Sequence, residues 1–152
     1  MRLVLIHGFD PSGPKVGGIE THVRQILRRH PDDVRILLIG IDDSGQRPLG
    51  QVVPMVAEGR AFDFCPVLYL PSDAQTGAAR SIGQSATLHF AGAVARHLPA
   101  IRRFIRGEAA SAEVERYEYA PLARLMGCRV VTVNHNEGDP RTDKMDSILS
   151  RY

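Results

Sequence analysis

Two adjacent glycines, Gly17 and Gly18, are the residues whose type and position most directly indicate chemistry. They follow a short apolar segment at 3–6 and precede apolar residues spaced as on one face of a helix. Such a loop lets the backbone approach a ligand closely, and free N–H groups of the first helical turn point at a bound anion. The sequence therefore predicts either a phosphate site or a simple strand-to-helix turn that needs an unusual backbone angle.

Two familiar phosphate-binding motifs are absent. The glycines at positions 8, 13, 17 and 18 do not fit the Gly-x-Gly-x-x-Gly fingerprint, and no Gly-Lys-Ser/Thr P-loop occurs. Any nucleotide would therefore bind a different kind of loop. The pair His7-Gly8 resembles the oxyanion-hole segment of α/β-hydrolases, but no serine has the two flanking glycines of the nucleophile elbow.

Composition limits the class of protein. Hydrophobic residues make up 43% of the 152 residues, which suits one domain with a packed core. The apolar runs are far shorter than the ~18 residues of a membrane-spanning helix. The first strand begins almost at once, so we expect no signal peptide and a cytoplasmic protein. Cys65 and Cys128 stand alone near apolar segments and are predicted to be buried free thiols.

The charges are unevenly distributed along the chain. A net charge of +2 is too small to argue for nucleic acid, and we expect none as a partner. No carboxylate occurs between Asp73 and Glu108, a stretch that carries several arginines. Two interpretations stay open, a solvated helix face and a surface that touches anionic lipid. The arginines concerned are Arg96, Arg102, Arg103 and Arg106.

Hydrophobic periodicity predicts the elements that must position these residues. Strands are expected near 2–7, 34–41, 51–56, 62–70, 113–117 and 129–133. Helices are expected over 18–29, 88–105 and 119–126 and from Asp139 onward. Pro66 is expected to interrupt the fourth strand, Pro99 to kink or divide the second helix, and 109–112 to form a loop.

The alternation of strands and helices indicates an α/β fold with a mainly parallel sheet. In such folds ligands bind beyond the carboxyl ends of the strands. The loops at 8–18 and 135–139 each follow a predicted strand, so we expect both at that edge.

Two segments resemble a known family. The run Gly17-Gly18-Ile19-Glu20-Thr21-His22-Val23 is similar to the Gly-Gly-x-Glu-x-His-Val signature of family 4 glycosyltransferases, which have the GT-B fold. Residues 118–136 resemble the later helix, strand and His-bearing loop of that family. The resemblance implies that 1–152 is a Rossmann-like three-layer domain, the N-terminal and acceptor-side half of a GT-B architecture. The C-terminal donor-binding domain would then be absent from this chain.

The resemblance also implies an activity. The expected enzyme is a retaining glycosyltransferase that moves a sugar from a UDP- or GDP-linked donor to a saccharide or lipid-linked acceptor. Polysaccharide or glycan biosynthesis would be its setting, and no divalent metal would be needed. This half alone would be inactive without its own C-terminal domain, and it could rest on the inner face of the membrane. The alternative from another class is a non-catalytic Rossmann-like module that binds nucleotide or protein.

Roles for individual residues follow from the same resemblance. Gly17 and Gly18 match the glycine loop that approaches the donor diphosphate. His135 matches a histidine near the transferred sugar and is the candidate catalytic residue. The candidates for acceptor binding or loop ordering are Glu20, His22, Glu118 and Asn136. Two alternatives stay open, since His22 could face solvent and Glu118 could cap the following helix.

Acidic residues near the end of the sequence have the spacing of a possible metal site. Asp139, Asp143 and Asp146 would lie near one helix face, with Glu137 just before them. Asp139 is better explained as an N-cap followed by proline, and acids are favoured at a helix start by its dipole. The sequence therefore predicts no metal site.

Overall fold

The computed structural model describes residues 1–71 and 86–133. Among these residues, six strands form one sheet, and there are three α-helices and one 3₁₀ turn. In chain order the elements are β1 (Arg2–Ile6), α1 (Gly18–Arg29), β2 (Arg35–Asp42), β3 (Val53–Ala57), β4 (Arg60–Tyr69), α2 (Ala86–Ile105), β5 (Ala110–Val114), the 3₁₀ turn (Tyr117–Tyr119), α3 (Ala120–Met126) and β6 (Arg129–Thr132).

The strand order across the sheet is β3-β4-β2-β1-β5-β6. Every neighbouring pair is parallel except β3 and β4, which form an antiparallel hairpin. The hairpin turns at Glu58 and Gly59, both with positive φ, as a two-residue turn with the twist of the flanking strands requires. The predicted α/β class with a mainly parallel sheet is confirmed.

Helices cover both faces of the sheet, and β1 shows how. Leu5 packs into a cluster with Val23 and Leu27 of α1. Val4 and Ile6 point the other way, into a larger cluster that includes residues of α2 and α3. Because its strands are buried on both faces, the sheet uses continuous apolar runs rather than alternating ones. The predicted three-layer arrangement is confirmed.

The fourth strand runs without a break through its proline. The sequence predicted an interruption at Pro66, but β4 extends from Arg60 to Tyr69. The pairing with β2 shifts between Gly40 and Ile41, so one residue of β4 is left out of register beside the proline. Such a bulge accommodates a residue that lacks a backbone N–H. The predicted interruption is therefore wrong.

The fifth strand lies earlier than predicted. It was expected at 113–117, with a loop at 109–112, but β5 is Ala110–Val114. Its first residues are small and carry little periodic signal, yet they pair with both β1 and β6. Tertiary pairing thus overrides weak local preference here. The 20-residue α2 continues through Pro99, so the alternative that a second helix starts there is also wrong.

Two further predictions concern burial and the end of the chain. Cys65 and Cys128 are buried free thiols, as predicted, and burial raises the pKa of Cys65 to about 11. The predicted last helix from Asp139, with the acidic residues discussed above, lies outside the described residues. No helix within residues 1–71 and 86–133 is long and apolar enough to span a membrane.

Candidate functional site

The order in which strands are added to the sheet reverses at β1. The chain moves from β1 to β2 and β4 on one side, and then α2 carries it back to β5 on the other side. Loops leaving the carboxyl ends of β1 and β5 therefore diverge and open a crevice between them. The loop from His7 to Gly17 follows β1, and Glu115 and Arg116 follow β5. This edge of the sheet is called the carboxyl edge below, and the opposite one the amino edge.

A cavity of about 380 Å³ lies in this crevice, within the size range of small-molecule sites. Apolar side chains of the sheet and of α2, such as Phe90, form part of its wall. Polar side chains from three separate segments complete it: His7, Lys15, Glu20, Thr87, Arg116 and Tyr119. Cavities of about 480 and 600 Å³ lie at the amino edge, where the strand-end rule for ligand sites does not apply.

The N-terminus of α1 borders the cavity through Gly18. Thr21 N donates the first helical hydrogen bond to Gly17 O at 2.9 Å. The N–H groups before Thr21 have no intrahelical acceptor, and the N-cap Gly17 has no side chain to cap them. A Cβ atom built on Gly18 would meet none of the described residues within 4 Å, so the packing of that part of the chain does not demand glycine there.

Glu20 ties the glycine loop to the end of β1. Its Oε1 lies 3.2 Å from His7 Nε2 and 3.1 Å from Lys15 Nζ, and its side chain is 9% exposed. Hydrogen bonding to His7 lowers the pKa of Glu20 to about 2, against burial, which alone would raise it. The carboxylate is therefore ionised and held in place. Of the two predicted roles, this geometry matches loop ordering.

His7 itself is the residue of this cluster that the sequence prediction missed. It is 6% exposed and follows β1 directly. Nε2 is engaged with Glu20, while Nδ1 is buried and has no hydrogen-bond partner within the described residues. The sequence did contain a signal for this residue, since a polar side chain at the carboxyl end of the first strand is placed to face a ligand. His7 was interpreted only as part of the His-Gly pair of a hydrolase.

Arg24 stabilises the loop from His7 to Gly17 by binding its backbone. Its guanidinium donates to the carbonyl oxygens of Pro11 and Gly13 at 2.9 Å and of Lys15 at 3.2 Å. It also lies 5.5 Å from the centre of the Phe9 ring. The planar guanidinium thus binds three backbone carbonyl oxygens at once. These hydrogen bonds stabilise the conformation of a loop that has no regular secondary structure. The backbone that faces the cavity is thus ordered before any ligand arrives.

A buried ion cluster joins this loop to the one after β2. Arg47 Nη1 donates to Asp10 Oδ2 at 2.6 Å and to Asp42 Oδ1 at 2.7 Å. Burial alone would raise the pKa of both carboxyls, but hydrogen bonds lower it, from Ser12 at Asp10 and from Arg47 and Ser44 at Asp42. Both carboxylates therefore stay ionised around one guanidinium.

His22 lies on a different part of α1 from the cavity. Its Nε2 is 2.9 Å from Glu113 Oε1 and 3.4 Å from Glu115 Oε1, at the end of β5. The contact braces α1 against β5, and His22 is not among the residues that line the cavity. The His22 side chain is also 37% exposed, so it is partly solvent-facing while it contacts the two carboxylates.

Glu118 lies in the 3₁₀ turn that follows β5. Its Oε1 is 3.9 Å from Arg116 Nη1, while Oε2 is buried without a hydrogen-bond partner among the described residues. Within the described residues no side-chain hydrogen bond caps α3, so Glu118 does not make the capping contact considered above. Next to it, burial raises the pKa of Tyr119 to about 12, which keeps its hydroxyl neutral.

The remaining predicted site residues are His135 and Asn136, and both lie outside the described residues. Among the described ones, two groups have atoms close enough to hold a metal: His22 with Glu113 and Glu115, and Asp10 with Asp42 and Asp43. In the second group the Arg47 guanidinium already bridges two of the carboxylates. That site is therefore an ion cluster internal to the protein, and the absence of a required metal stays a prediction.

Comparison with known proteins identifies the fold. No family model matches the sequence, and no curated protein matches it. Solved structures do match, among them sucrose-phosphate synthase from Thermosynechococcus elongatus, with a TM-score of 0.58 and 8% sequence identity. The match covers 99% of this chain and 39% of that chain. At this identity the likeness is one of fold: the chain has an α/β fold similar to that of a GT-B glycosyltransferase and spans about 39% of the length of that enzyme.

Proposed function

We propose that the chain is the N-terminal, acceptor-side domain of a retaining glycosyltransferase of the family 4 type. The observation that carries the proposal is the cavity at the carboxyl edge, which is bordered by the uncapped start of α1 at Gly18 and by the side chains of Lys15 and Arg116. Free N–H groups and cations suit a phosphate-bearing ligand. The GT-B-like fold supports the same class of reaction.

In such a reaction the bond between the anomeric carbon and the diphosphate oxygen breaks. A new bond to the acceptor hydroxyl oxygen forms on the same face of the sugar, and the hydroxyl proton leaves with the diphosphate. The departing diphosphate gains negative charge, so fixed N–H donors aimed at it lower the barrier. The amides at Gly17 and Gly18 would supply that contribution from this domain.

The proposed donor is a UDP- or GDP-linked sugar, and the acceptor is a saccharide or a lipid-linked saccharide, without a divalent metal. The chain's own C-terminal domain would hold most of the donor, and the reaction would take place in the cytoplasm. Within this domain Glu118, whose Oε2 has no partner among the described residues, is a proposed contact for acceptor hydroxyls. His135 is proposed to lie near the transferred sugar, and Asn136 to bind the acceptor or order the loop.

The variant Gly18→Ala gives the sharpest test. Its methyl group would meet no atom of residues 1–71 and 86–133 within 4 Å, so we expect the fold to tolerate it, while a phosphate drawn up to the α1 N–H groups would be displaced. Misplacement of a substrate by about 1 Å can cost about a hundredfold in rate. We expect kcat/KM for transfer to fall by about tenfold or more, with an unchanged unfolding midpoint. Transfer would be measured with the chain joined to its C-terminal domain, against a panel of UDP- and GDP-sugars.

Gly92→Ala is the matched control, because a Cβ at this α2 position also meets nothing within 4 Å in the described part of the chain and Gly92 does not line the cavity. It should leave transfer unchanged. His135→Ala, assayed beside it, tests the proposed catalytic position separately. Folded protein that neither transfers nor hydrolyses any donor of the panel would refute the enzyme proposal. Nucleotide binding without transfer would favour the non-catalytic module.

A further inference from the structure

Arg116 borders the cavity at the carboxyl edge, and the protein leaves its donors unused. It lies two residues beyond β5 and is the N-cap of the 3₁₀ turn. Its side chain is 45% exposed, and Glu118 Oε1 is 3.9 Å from its Nη1, too far for a hydrogen bond. Within residues 1–71 and 86–133 the guanidinium donates no hydrogen bond to the protein. Its N–H groups are therefore available to a ligand.

The neighbouring cations have protein partners that explain their positions. Arg24 donates to three loop carbonyls, and Arg47 lies between two buried carboxylates. Lys15, which borders the same cavity as Arg116, is 3.1 Å from Glu20. Contacts within the described residues thus account for these three cations. They do not account for Arg116, whose position beyond the carboxyl end of a parallel strand suits contact with a ligand.

The surroundings of Arg116 favour a bound anion. Apolar side chains such as Phe90 line the same cavity, where they weaken the screening of charge by water. The first turn of α2 also borders the cavity, at Ala86 and Thr87, and the positive end of its dipole adds to the attraction for an anion. Burial raises the pKa of Tyr119 to about 12, so this hydroxyl adds no competing negative charge. A ligand with a negative charge would therefore gain from this part of the cavity.

We propose that Arg116 binds an oxyanion on the acceptor, either a phosphate or a carboxylate group, and thereby selects acceptors that carry a negative charge. This inference rests on the proposed function. A guanidinium group is planar and donates two parallel N–H hydrogen bonds to such a group, which fixes the orientation of the acceptor as well as its position. A neutral saccharide offers only hydroxyl groups to these donors, so its hydrogen bonds to Arg116 would be weaker.

The position of Arg116 fits the acceptor better than the donor. In the proposed function the donor diphosphate contacts the N–H groups at Gly17 and Gly18, which follow β1, and the C-terminal domain holds most of the donor. Arg116 follows β5, on the other side of the crevice. Glu118, the proposed contact for acceptor hydroxyls, lies 3.9 Å from Arg116 in the same short segment. This segment would thus contact both the charged group and a hydroxyl group of one acceptor.

Arg116 would act as a positioning residue and would not touch the reacting bond. Its contact with a remote group of the acceptor is equally strong before and during transfer, so its loss raises KM for the acceptor and leaves kcat nearly unchanged. A contact with the donor diphosphate would instead change KM for the donor or kcat. A role in the stability of the fold alone would lower the unfolding midpoint. These readouts separate the three roles.

Transfer by the chain joined to its C-terminal domain tests the proposal. The UDP- and GDP-sugars would be assayed with three matched acceptors: a neutral saccharide, its phosphate monoester and the corresponding uronic acid. We expect kcat/KM to be about tenfold or more higher for a charged acceptor than for the neutral one, since hydrogen bonds to charged groups are the stronger kind. The charged acceptor with the higher kcat/KM identifies the anion. Added salt should reduce the preference for charge.

The variant Arg116→Gln should remove this preference. We expect KM for the charged acceptor to rise about tenfold more than KM for the neutral one, while kcat, the donor KM and the unfolding midpoint change little. Arg116→Lys keeps the charge but not the paired donors, so it should retain part of the preference. Arg96→Gln is the matched control, since it alters an exposed arginine of α2 that does not line the cavity, and it should retain the whole preference.

The possible failures of this inference and of the proposed function are distinguishable. Transfer with equal kcat/KM for neutral and charged acceptors would overturn the inference and leave the proposed function intact. An equal effect of Arg116→Gln on both kinds of acceptor, or a rise in the donor KM alone, would do the same. Folded protein that neither transfers nor hydrolyses any donor would refute the proposed function and this inference with it.

Discussion

Arginine has opposite surroundings at the two edges of this sheet. At the carboxyl edge Arg47 lies between two buried carboxylates, and Arg24 gathers three loop carbonyls. At the amino edge Arg102 and Arg103 are exposed and have no acidic partner in the described part of the chain. At the carboxyl edge the arginine charges are thus neutralised or hydrogen-bonded within the protein. At the amino edge the charges of Arg102 and Arg103 remain exposed to solvent and to any binding partner.

Two ion pairs with the same N–O distance, one at each edge, differ in how far their side chains are exposed to solvent. Lys15 Nζ lies 3.1 Å from Glu20, and Arg35 Nη1 lies 3.1 Å from Glu108. The side chains of Lys15 and Glu20 are 39% and 9% exposed, whereas those of Arg35 and Glu108 are 69% and 35% exposed. Water and salt screen the exposed pair, so equal distances do not imply equal contributions to stability. Burial, rather than contact distance, determines the expected size of each effect below.

The largest effect is expected for Arg47→Ala. It would leave Asp10 and Asp42 as buried charges without their cation, a change that typically costs about 3–5 kcal/mol. The free energy of unfolding, measured by urea denaturation, should fall by that amount. Adding Asp10→Asn and Asp42→Asn to the variant should recover part of the loss, because no uncompensated charge would remain. A loss below about 1 kcal/mol would contradict the view of an internally ordered carboxyl edge.

A smaller and pH-dependent effect is expected for Glu20→Gln. The pKa of Glu20 lies at about 2 in the folded protein, below its ordinary value of 4.5. A lowered pKa contributes stability above pH 4.5 that is lost as the pH falls toward 2. The variant should therefore be less stable at neutral pH by at most about 3 kcal/mol, and the difference should nearly vanish near pH 2. Urea denaturation at several pH values would check this, and a difference that persists at pH 2 would show that the carboxylate charge is not its source.

The smallest effect is expected for Arg35→Ala at the amino edge. Exposed ion pairs contribute about 0–1 kcal/mol, and salt weakens them further. We expect a change of less than about 0.5 kcal/mol in the free energy of unfolding, and none at high salt. The same urea experiment measures it. A loss as large as that of Arg47→Ala would remove the proposed distinction between the two edges.

Helix α1 was predictable from the sequence to the residue. Its apolar residues recur at helical spacing, two glycines precede it, and His30-Pro31 ends it, so local signals agree with the observed Gly18–Arg29. Strand β5 was not predictable in the same way. Ala110, Ser111 and Ala112 have no strong strand preference and become a strand because β1 and β6 flank them.

The candidate site was predictable only in part. Glu20 was named for acceptor binding or loop ordering, and it contacts His7 and Lys15; its role stays a prediction. The partners themselves were missed, because a histidine after one strand and a lysine in a loop have no pattern that links them. The pairing of Asp10 with Asp42 through Arg47 is equally invisible, since these residues meet only when two loops fold over the same sheet edge.

The sequence by itself determined the α/β class, the mainly parallel sheet and the glycine-to-helix turn, since hydrophobic period and turn residues are local properties that each segment shows alone. Only the tertiary structure decided the strand order, the position of β5 and the loops that meet at β1. It also decided which arginines are buried and which are exposed. These features depend on contacts between segments far apart in the chain, where the low dielectric of the interior and the geometry of a parallel sheet set the energies.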